Sequence, residues 1–495
     1  LTEETIRLIF GLKLRQLRLD QQLSLSEVSK KSGISVSYLN EIEKGKKYPK
    51  GTKIATLAEA LGVEYDYLVS LQLSKKLAPV SELINSNILQ ELPLDMFGIE
   101  TADLIELLSN APAKLSAFVS TLVEISRNYD MRVEHFYFSV LRSYQEMHEN
   151  YFPELEEAAR KFKDTFKLPK EGPLDAQQLA HLLEQEFRYQ LDHQQLSQTE
   201  KLSHLRTVLL PGKEPLLLLN SNLNERQLAF AYGRELAYNW LEIKNRSYTT
   251  SWVEVDSFEE VLNNFKASYF SCALLMDEEH FVADVKSWLQ QREWSPESLV
   301  QLADRYRATP EMLMHRLTNI LPKFFGLHEL FFLRFNHPHG SDDFYLTKEM
   351  HLSGLHNPHA NMLNEHYCRR WVSLTIFKEL EGENNSGELI CRAQRSRYIG
   401  SENEYLLITL AKSQSPQPDR NSSLSLGLMV NDSLKRKLKC WNDASIPVRW
   451  VNETCERCPA VDCQERAAAP RVLQEENRIN EMKYALQELM QKKGK

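Results

Sequence analysis

Apolar positions recur at three- and four-residue spacing through most of this chain, and only short runs read as strands. Residues 5–71 predict five short helices. From 74 to 165 the pattern stays helical: Leu115, Phe118, Val119, Leu122 and Ile125 define one stripe, and Phe136, Val140, Leu141 and Tyr144 another. Pro153 and the Lys-rich stretch to Pro169 and Pro173 read as a boundary. A helix over Ala176–Phe187 then precedes two strands, Leu205–Leu210 and Leu216–Leu219, with Pro211-Gly212 as the turn. Helices over Glu225–Leu241 and Phe258–Met276 follow, and 295–335 is helical or mixed. Residues 340–465 hold strand-like segments such as Tyr405–Leu410, and Ser413–Ser423 reads as a polar loop. Val472, Ile479, Met482, Leu486 and Leu489 repeat with heptad-like spacing, predicting a helix that packs on its own body or on another chain.

Length changes this picture first: 495 residues are too many for one core and suggest about three domains. Hydrophobic residues at 42% and charged residues at 26% place the chain among ordinary globular proteins. No apolar run approaches a membrane span, and no secretory signal pattern opens the sequence, so a cytoplasmic protein with no membrane partner is expected. The net charge of −8 argues against nucleic acid coating the whole length. Residues 1–53 differ, with 11 Lys/Arg against 6 Asp/Glu. A small basic head on an acidic body suits a protein that touches DNA at one end.

Within the head, Ser24-Leu25-Ser26-Glu27 is a capping box that starts a helix. Gly33 ends it, Ile34 plugs the turn, and Ser35 caps a second helix, Val36–Lys44, that buries Leu39 and Ile42. A helix over Thr52–Leu61 completes a small core. Two short helices joined by a Gly turn present the second to a major groove. These residues resemble the Cro/repressor-type helix-turn-helix family over 7–70. The resemblance implies a five-helix, lambda-repressor-like head that binds a near-palindromic operator in double-stranded DNA as a homodimer. It places Val36, Ser37 and Glu41 at base-facing positions, with Tyr38 and Asn40 on the same exposed face. Arg15, Ser24, Lys44 and Lys46 are its phosphate-contact candidates, and Ser35 and Lys47 complete the expected DNA-binding set.

Residues 174–290 resemble the ImmA/IrrE metallopeptidase family, in which a helix carries His-Glu-x-x-His for a catalytic zinc. Here the stretch reads Arg234-Glu235-Leu236-Ala237-Tyr238, and Lys266 and Ala267 stand where a further acidic ligand is expected. Arg and Lys repel a cation, so no catalytic residue and no catalytic metal are expected. Two roles remain for this site. Glu235 pairs with Arg234 or Lys266, or the vacated cleft takes a small anion through Arg234, Glu235, Tyr238 and Lys266.

Cys455, Cys458 and Cys463 place three thiols within nine residues, a spacing suited to a metal. A fourth ligand must come from afar, with Cys368, His366, Cys440 and Cys391 as candidates. Structural zinc is the first reading, an iron–sulfur cluster is the alternative, and metal-free buried thiols or a redox pair stay open. Together with Phe265-Lys266-Ala267-Ser268-Tyr269-Phe270 and Ala273-Leu274-Leu275-Met276, these features resemble the short-chain fatty acyl transcriptional regulators. That resemblance implies a regulator whose effector is an acyl-coenzyme A. The family also has a Cys before a Trp at Cys368, so the resemblance implies Cys368 as the fourth ligand. The fold class expected is mainly α with a smaller α+β part. Its divisions are 1–72 (helix-turn-helix), 73–170 (helical linker), 171–335 (degenerate peptidase-like sensor), 336–470 (Cys-containing domain) and 471–495 (helix). Two other functions stay open: a metalloprotease that cuts a repressor, and an antitoxin-like regulator that binds another protein.

Overall fold

The computed structural model describes residues 3–70, 133–169, 171–250, 255, 257–352, 365–381, 389–413 and 420–493. The stripe expected at Leu115–Ile125 lies outside them. The chain divides into two compact units, Leu1–Val140 with Asp256–Phe258, and Leu141–Val255 with Glu259–Lys495.

The first unit opens with five helices: α1 (Glu3–Asp20), α2 (Leu25–Ser32), α3 (Val36–Glu43), α4 (Gly51–Leu61) and α5 (Tyr65–Val69). Each turn follows from local chemistry. Ser24 Oγ accepts the Glu27 N–H (3.2 Å) while Glu27 accepts the Ser24 N–H (2.7 Å). Gly33 closes α2 at φ +69, where L side chains are strained. Ser35 caps α3. Phe10, Leu14, Val28, Leu39, Ile42, Leu57, Leu61 and Leu68 form the core. Leu39 and Ile42 are fully buried, each contributing roughly 1.5–3 kcal/mol. Gly11 lets α1 run against the end of α3, because a Cβ there would stand 2.4 Å from the Ile42 carbonyl oxygen. Further on, α6 (Val133–Met147) carries the expected Val140–Tyr144 stripe.

The second unit begins with α7 (Pro153–Thr165) and α8 (Ala176–Phe187). Next come β1 (Gln190–Asp192), α9 (Gln195–Gln198), β2 (Thr207–Leu210), β3 (Leu216–Leu219), α10 (Glu225–Trp240), β4 (Thr249–Thr250) and α11 (Phe258–Leu275). The strands form a sheet of order β1-β3-β2-β4, parallel only between β1 and β3. Helices α12 (Glu278–Leu289), α13 (Pro296–Arg305) and α14 (Pro310–Phe325) lead into a six-stranded sheet. It comprises β5 (Leu330–Pro338), β6 (Tyr345–His351), β7 (Ile390–Tyr398), β8 (Glu404–Ser413), β9 (Arg420–Met429) and β10 (Val448–Val451), ordered β10-β7-β8-β9-β5-β6. α15 (Val372–Leu380) covers one face through Trp371, Leu374 and Phe377. α16 (Asp432–Lys437) and α17 (Arg471–Lys493) complete the chain's elements. The fold is mainly helical with an α+β part, and among the described residues no helix is long and apolar enough to cross a membrane.

Four expectations are corrected. Pro153 is no boundary: it opens α7, whose Leu155, Ala159 and Phe162 lie in the main core of the second unit. Pro suits a first helical turn, where its missing N–H costs nothing. Buried Glu156 on α7 pairs with buried Arg316 on α14 (2.5 and 2.9 Å), so the later part of the expected linker belongs to the body. The expected division at 335/336 falls inside β5. The polar loop is shorter than Ser413–Ser423, because β9 starts at Arg420. Its hydroxyls are satisfied inside: Ser423 donates to the Ser373 carbonyl (2.6 Å), and Ser425 bonds Ser373 and Thr409 (2.6 and 2.8 Å).

Candidate functional site

In the head, α3 leaves one face open. Val36 is 41% exposed, Ser37 and Asn40 are exposed, and Glu41 and Lys44 are half-buried. Tyr38 is half-buried beneath the Lys53 ammonium, 4.1 Å from its ring centre. Glu41 pairs with Lys47 (3.0 Å). Ser35 spends its hydroxyl on the α3 cap, and the Ser24 hydroxyl bonds Glu27 Oε2 (2.7 Å), so both are already engaged in shaping the helices. Arg15 is half-buried on α1, whereas Lys46 and Lys47 are exposed just past α3.

Two cations brace the head, half-buried Arg18 against α3 and buried Lys13 against α5, and neither was singled out from the sequence. Arg18 on α1 grips Glu43, the final residue of α3, with two 2.7 Å bonds and donates to the Leu23 carbonyl (3.0 Å). The Glu43 bonds raise the Arg18 pKa. Lys13 is 2% exposed and closes α5 by bonding the Tyr67 carbonyl (2.9 Å), the Ser70 carbonyl and the Ser70 hydroxyl (2.7 Å). A positional signal existed for the first pair: Glu43 follows buried Leu39 by four residues and Arg18 follows buried Leu14 by four, so both lie on apolar stripes.

In the body, Arg234, Glu235 and Tyr238 come together on α10, and all are buried. Glu235 pairs with neither Arg234 nor Lys266. Its partner is Arg246, in the loop between α10 and β4, through a bidentate contact of 2.6 and 2.7 Å. Arg246 also stacks 3.6 Å over the Tyr238 ring. Burial works against its charge, but Glu235 outweighs that and raises its pKa. Tyr189 donates to Glu235 (3.2 Å), and burial followed by the Glu235 charge pushes its phenol up to about 12. Arg234 turns away to Thr250 (3.0 Å), Tyr238 (3.2 Å) and Asn264. Gly233 permits this close α10–α11 crossing, since a Cβ there would lie 2.3 Å from Ser271 Oγ. Lys266 is half-buried on α11, outside this network.

A second charged cluster was missed altogether. Glu311 on α14 holds Arg334 from β5 (3.2 Å) and Lys348 from β6 (2.5 Å), and His315 lies 3.9 Å away. Arg206, at the start of β2, and Arg234 act on the same region. Burial opposes the Glu311 charge, yet Arg334, Lys348 and Arg206 hold its carboxyl well below the usual range. Burial, then the Lys348 charge, lowers His315 to about 4. Buried Arg234 Nε has no hydrogen-bond partner among the described residues. Three cations, Arg206, Arg334 and Lys348, therefore act on one carboxylate. They come from distant elements, so no local pattern announces them.

The cysteines gather at one corner of the body. Cys368, Cys455 and Cys458 are buried and Cys463 is half-buried. A bridge between Tyr367 and Thr454 aligns their backbones, with Cys368 N–H bonding the Glu453 carbonyl (3.1 Å) and Cys455 N–H the His366 carbonyl (2.8 Å). Arg466 clamps the loop through the carbonyls of Cys455 (2.7 Å), Cys458 (3.1 Å) and Ala460 (2.5 Å). Burial, with Cys455 and Cys458 nearby, raises the Cys368 thiol to about 11. As placed, no three His, Cys, Asp or Glu side chains among the described residues are set to hold a metal ion. Of the alternative ligands, His366 is paired with Glu456 (2.8 Å), and Cys391 and Cys440 belong to a different core cluster from Cys368.

Comparison with known proteins matches these regions separately. Residues 14–68 match a helix-turn-helix family model, and residues 191–318 match the IrrE N-terminal-like domain. A solved Mycobacterium tuberculosis transcriptional regulator is 18% identical, with 67% of this chain and 93% of that chain covered at a TM-score of 0.47. An uncharacterised HTH-type transcriptional regulator of Sinorhizobium fredii is 35% identical over 65 residues, 13% of this chain and 84% of that one. Through its capped five-helix head, joined to an IrrE-like body, the chain belongs to the DNA-binding HTH-type transcriptional regulators.

Proposed function

We propose that this regulator binds its operator as a homodimer and that a small anion held in the body sets its DNA affinity. The observation that carries the reading is the cluster of Arg206, Arg334 and Lys348 around the single carboxylate of Glu311, with Arg234 acting on Arg206. An excess of fixed positive charge favours a multiply charged ligand, and Arg forks suit phosphate. An acyl-coenzyme A has that charge and is the effector class implied by the sequence resemblance. Binding alters DNA affinity only by favouring one of two body conformations.

A hydrolytic role is not part of this reading. Glu235 is the residue left to polarise a water, and both its oxygens are held by Arg246. The four thiols are proposed as ligands for structural zinc, or for an iron–sulfur cluster. Thiolates suit either group chemically, but the side chains as placed do not converge on an ion. Metal analysis of parent and Cys458→Ser protein separates the cases: stoichiometric metal lost in the variant supports the assignment, and a metal-free parent ends it.

Calorimetric titration with a short acyl-coenzyme A tests the ligand. Arg206→Ala and Arg334→Ala should each weaken binding about 10-fold or more, since a charge-assisted bond is worth roughly 1.5–3 kcal/mol. No heat with the parent protein, or unchanged affinity in both variants, overturns the assignment.

A further inference from the structure

α17 is an amphipathic helix whose apolar stripe is uncovered. It spans 23 residues, about 34 Å at 1.5 Å per residue. Every residue from Gln474 to Met490 is exposed, including Ile479, Met482, Leu486 and Leu489. Its root alone is fixed: the Val472 and Leu473 N–H groups bond the Glu456 carbonyl (3.1 and 3.2 Å), beside the cysteine loop. The expectation that the stripe packs on its own body is therefore not met among the described residues. Helices in proteins draw most of their stability from packing an amphipathic face, and this apolar stripe has no such cover among the described residues.

We infer that α17 pairs with α17 of a second copy as an antiparallel coiled coil. Val472, Ile479 and Leu486 occupy one heptad position and Met482 and Leu489 the other, the narrow seam that a helix pair buries. Charge selects the partner and the direction. Residues 475–481 carry three Glu against one Arg, and residues 483–493 carry three Lys against one Glu. One copy thus complements another run the opposite way. With Ile479 set against Met482, the flanks bring Glu476 of one helix beside Lys483 of the other, twice per pair. The same register also sets Arg471 beside Lys492 at the helix ends. A parallel pair sets Arg478 beside Lys483, offset by Arg471 beside Glu476, and in addition puts Glu475 against Glu475 in the seam, where the antiparallel pair puts Glu475 against Leu486. Glu475 is already tied to Arg478 (2.6 and 3.0 Å), which screens the one acidic position in the seam. The pairing does not depend on the ligand or DNA readings and stands if they fail.

Sedimentation equilibrium of the full chain tests this. The parent dimerises, and Ile479→Asp with Leu486→Asp weakens the dimer about 30-fold or more. Both sites are exposed, so far-ultraviolet dichroism should show the body still folded. Lys483→Glu weakens the dimer about 3-fold or more, and adding Glu476→Lys restores it. A monomeric parent, or a dimer untouched by the double Asp variant, overturns the proposal. A dimer strengthened by Lys483→Glu overturns the antiparallel arrangement, because in a parallel coil that change sets a carboxylate beside Arg478.

Discussion

Arg18–Glu43 in the head and Arg246–Glu235 in the body are both bidentate, both largely buried, and both formed by an Arg outside the helix that presents the Glu. Their consequences are opposite. In the head the pair lies beneath α3 and leaves its outer face free to meet another molecule. In the body the pair consumes the one side chain that a hydrolytic reaction would use. The same interaction supports a surface in one place and occupies a site in the other, and the difference lies in which side of the helix the Glu faces.

The largest effect should come from breaking the body's pair. Glu235→Ala leaves Arg246 buried and unpaired, and should cost about 3–5 kcal/mol. Replacing both partners by Met should cost much less. Urea unfolding of the three proteins measures this, and an equal loss in the single and double variants contradicts it.

Next is the crossing that holds α3 in place. Gly11→Ala drives a Cβ onto the Ile42 carbonyl and should destabilise the head by about 1–3 kcal/mol. Thermal unfolding should show this in the head alone, with the Glu235–Arg246 region unmoved.

The cationic cluster predicts a pH response. His315 has its folded pKa lowered to about 4 by burial, below the ordinary 6.5. The unfolded chain therefore binds more protons between those values, and stability falls as pH drops from about 6.5 to 4. His315→Asn removes this component, so the variant's stability should fall less over that window. A bound polyanion offsets the neighbouring Lys and Arg charges and should raise the His315 titration midpoint, as followed by NMR.

How much of this was legible depended on distance along the chain. The head was readable because its signals are local: Ser24 and Glu27 are three residues apart, Gly33 ends α2 and Ser35 starts α3. The strands around Pro211 were readable for the same reason. The body's site was only half readable. Arg234, Glu235 and Tyr238 share one helical turn, but Arg246 enters from a loop with no periodic pattern, Arg334 and Lys348 meet at Glu311 through the β5–β6 pairing, and Arg206 comes from just before β2. Pro153 reads as a boundary in the sequence alone, whereas at the first turn of α7 it starts a helix.

The account rests on the open face of α3, and salt dependence tests it most directly. Full-length protein should retain a discrete set of genomic DNA fragments. The log–log salt slope of binding to one of them should become shallower by about two when Lys44 and Lys46 are both changed to Ala, about one per lost phosphate contact. Failure to retain any fragment, or an unchanged slope in that variant, would contradict the placement of DNA against this helix.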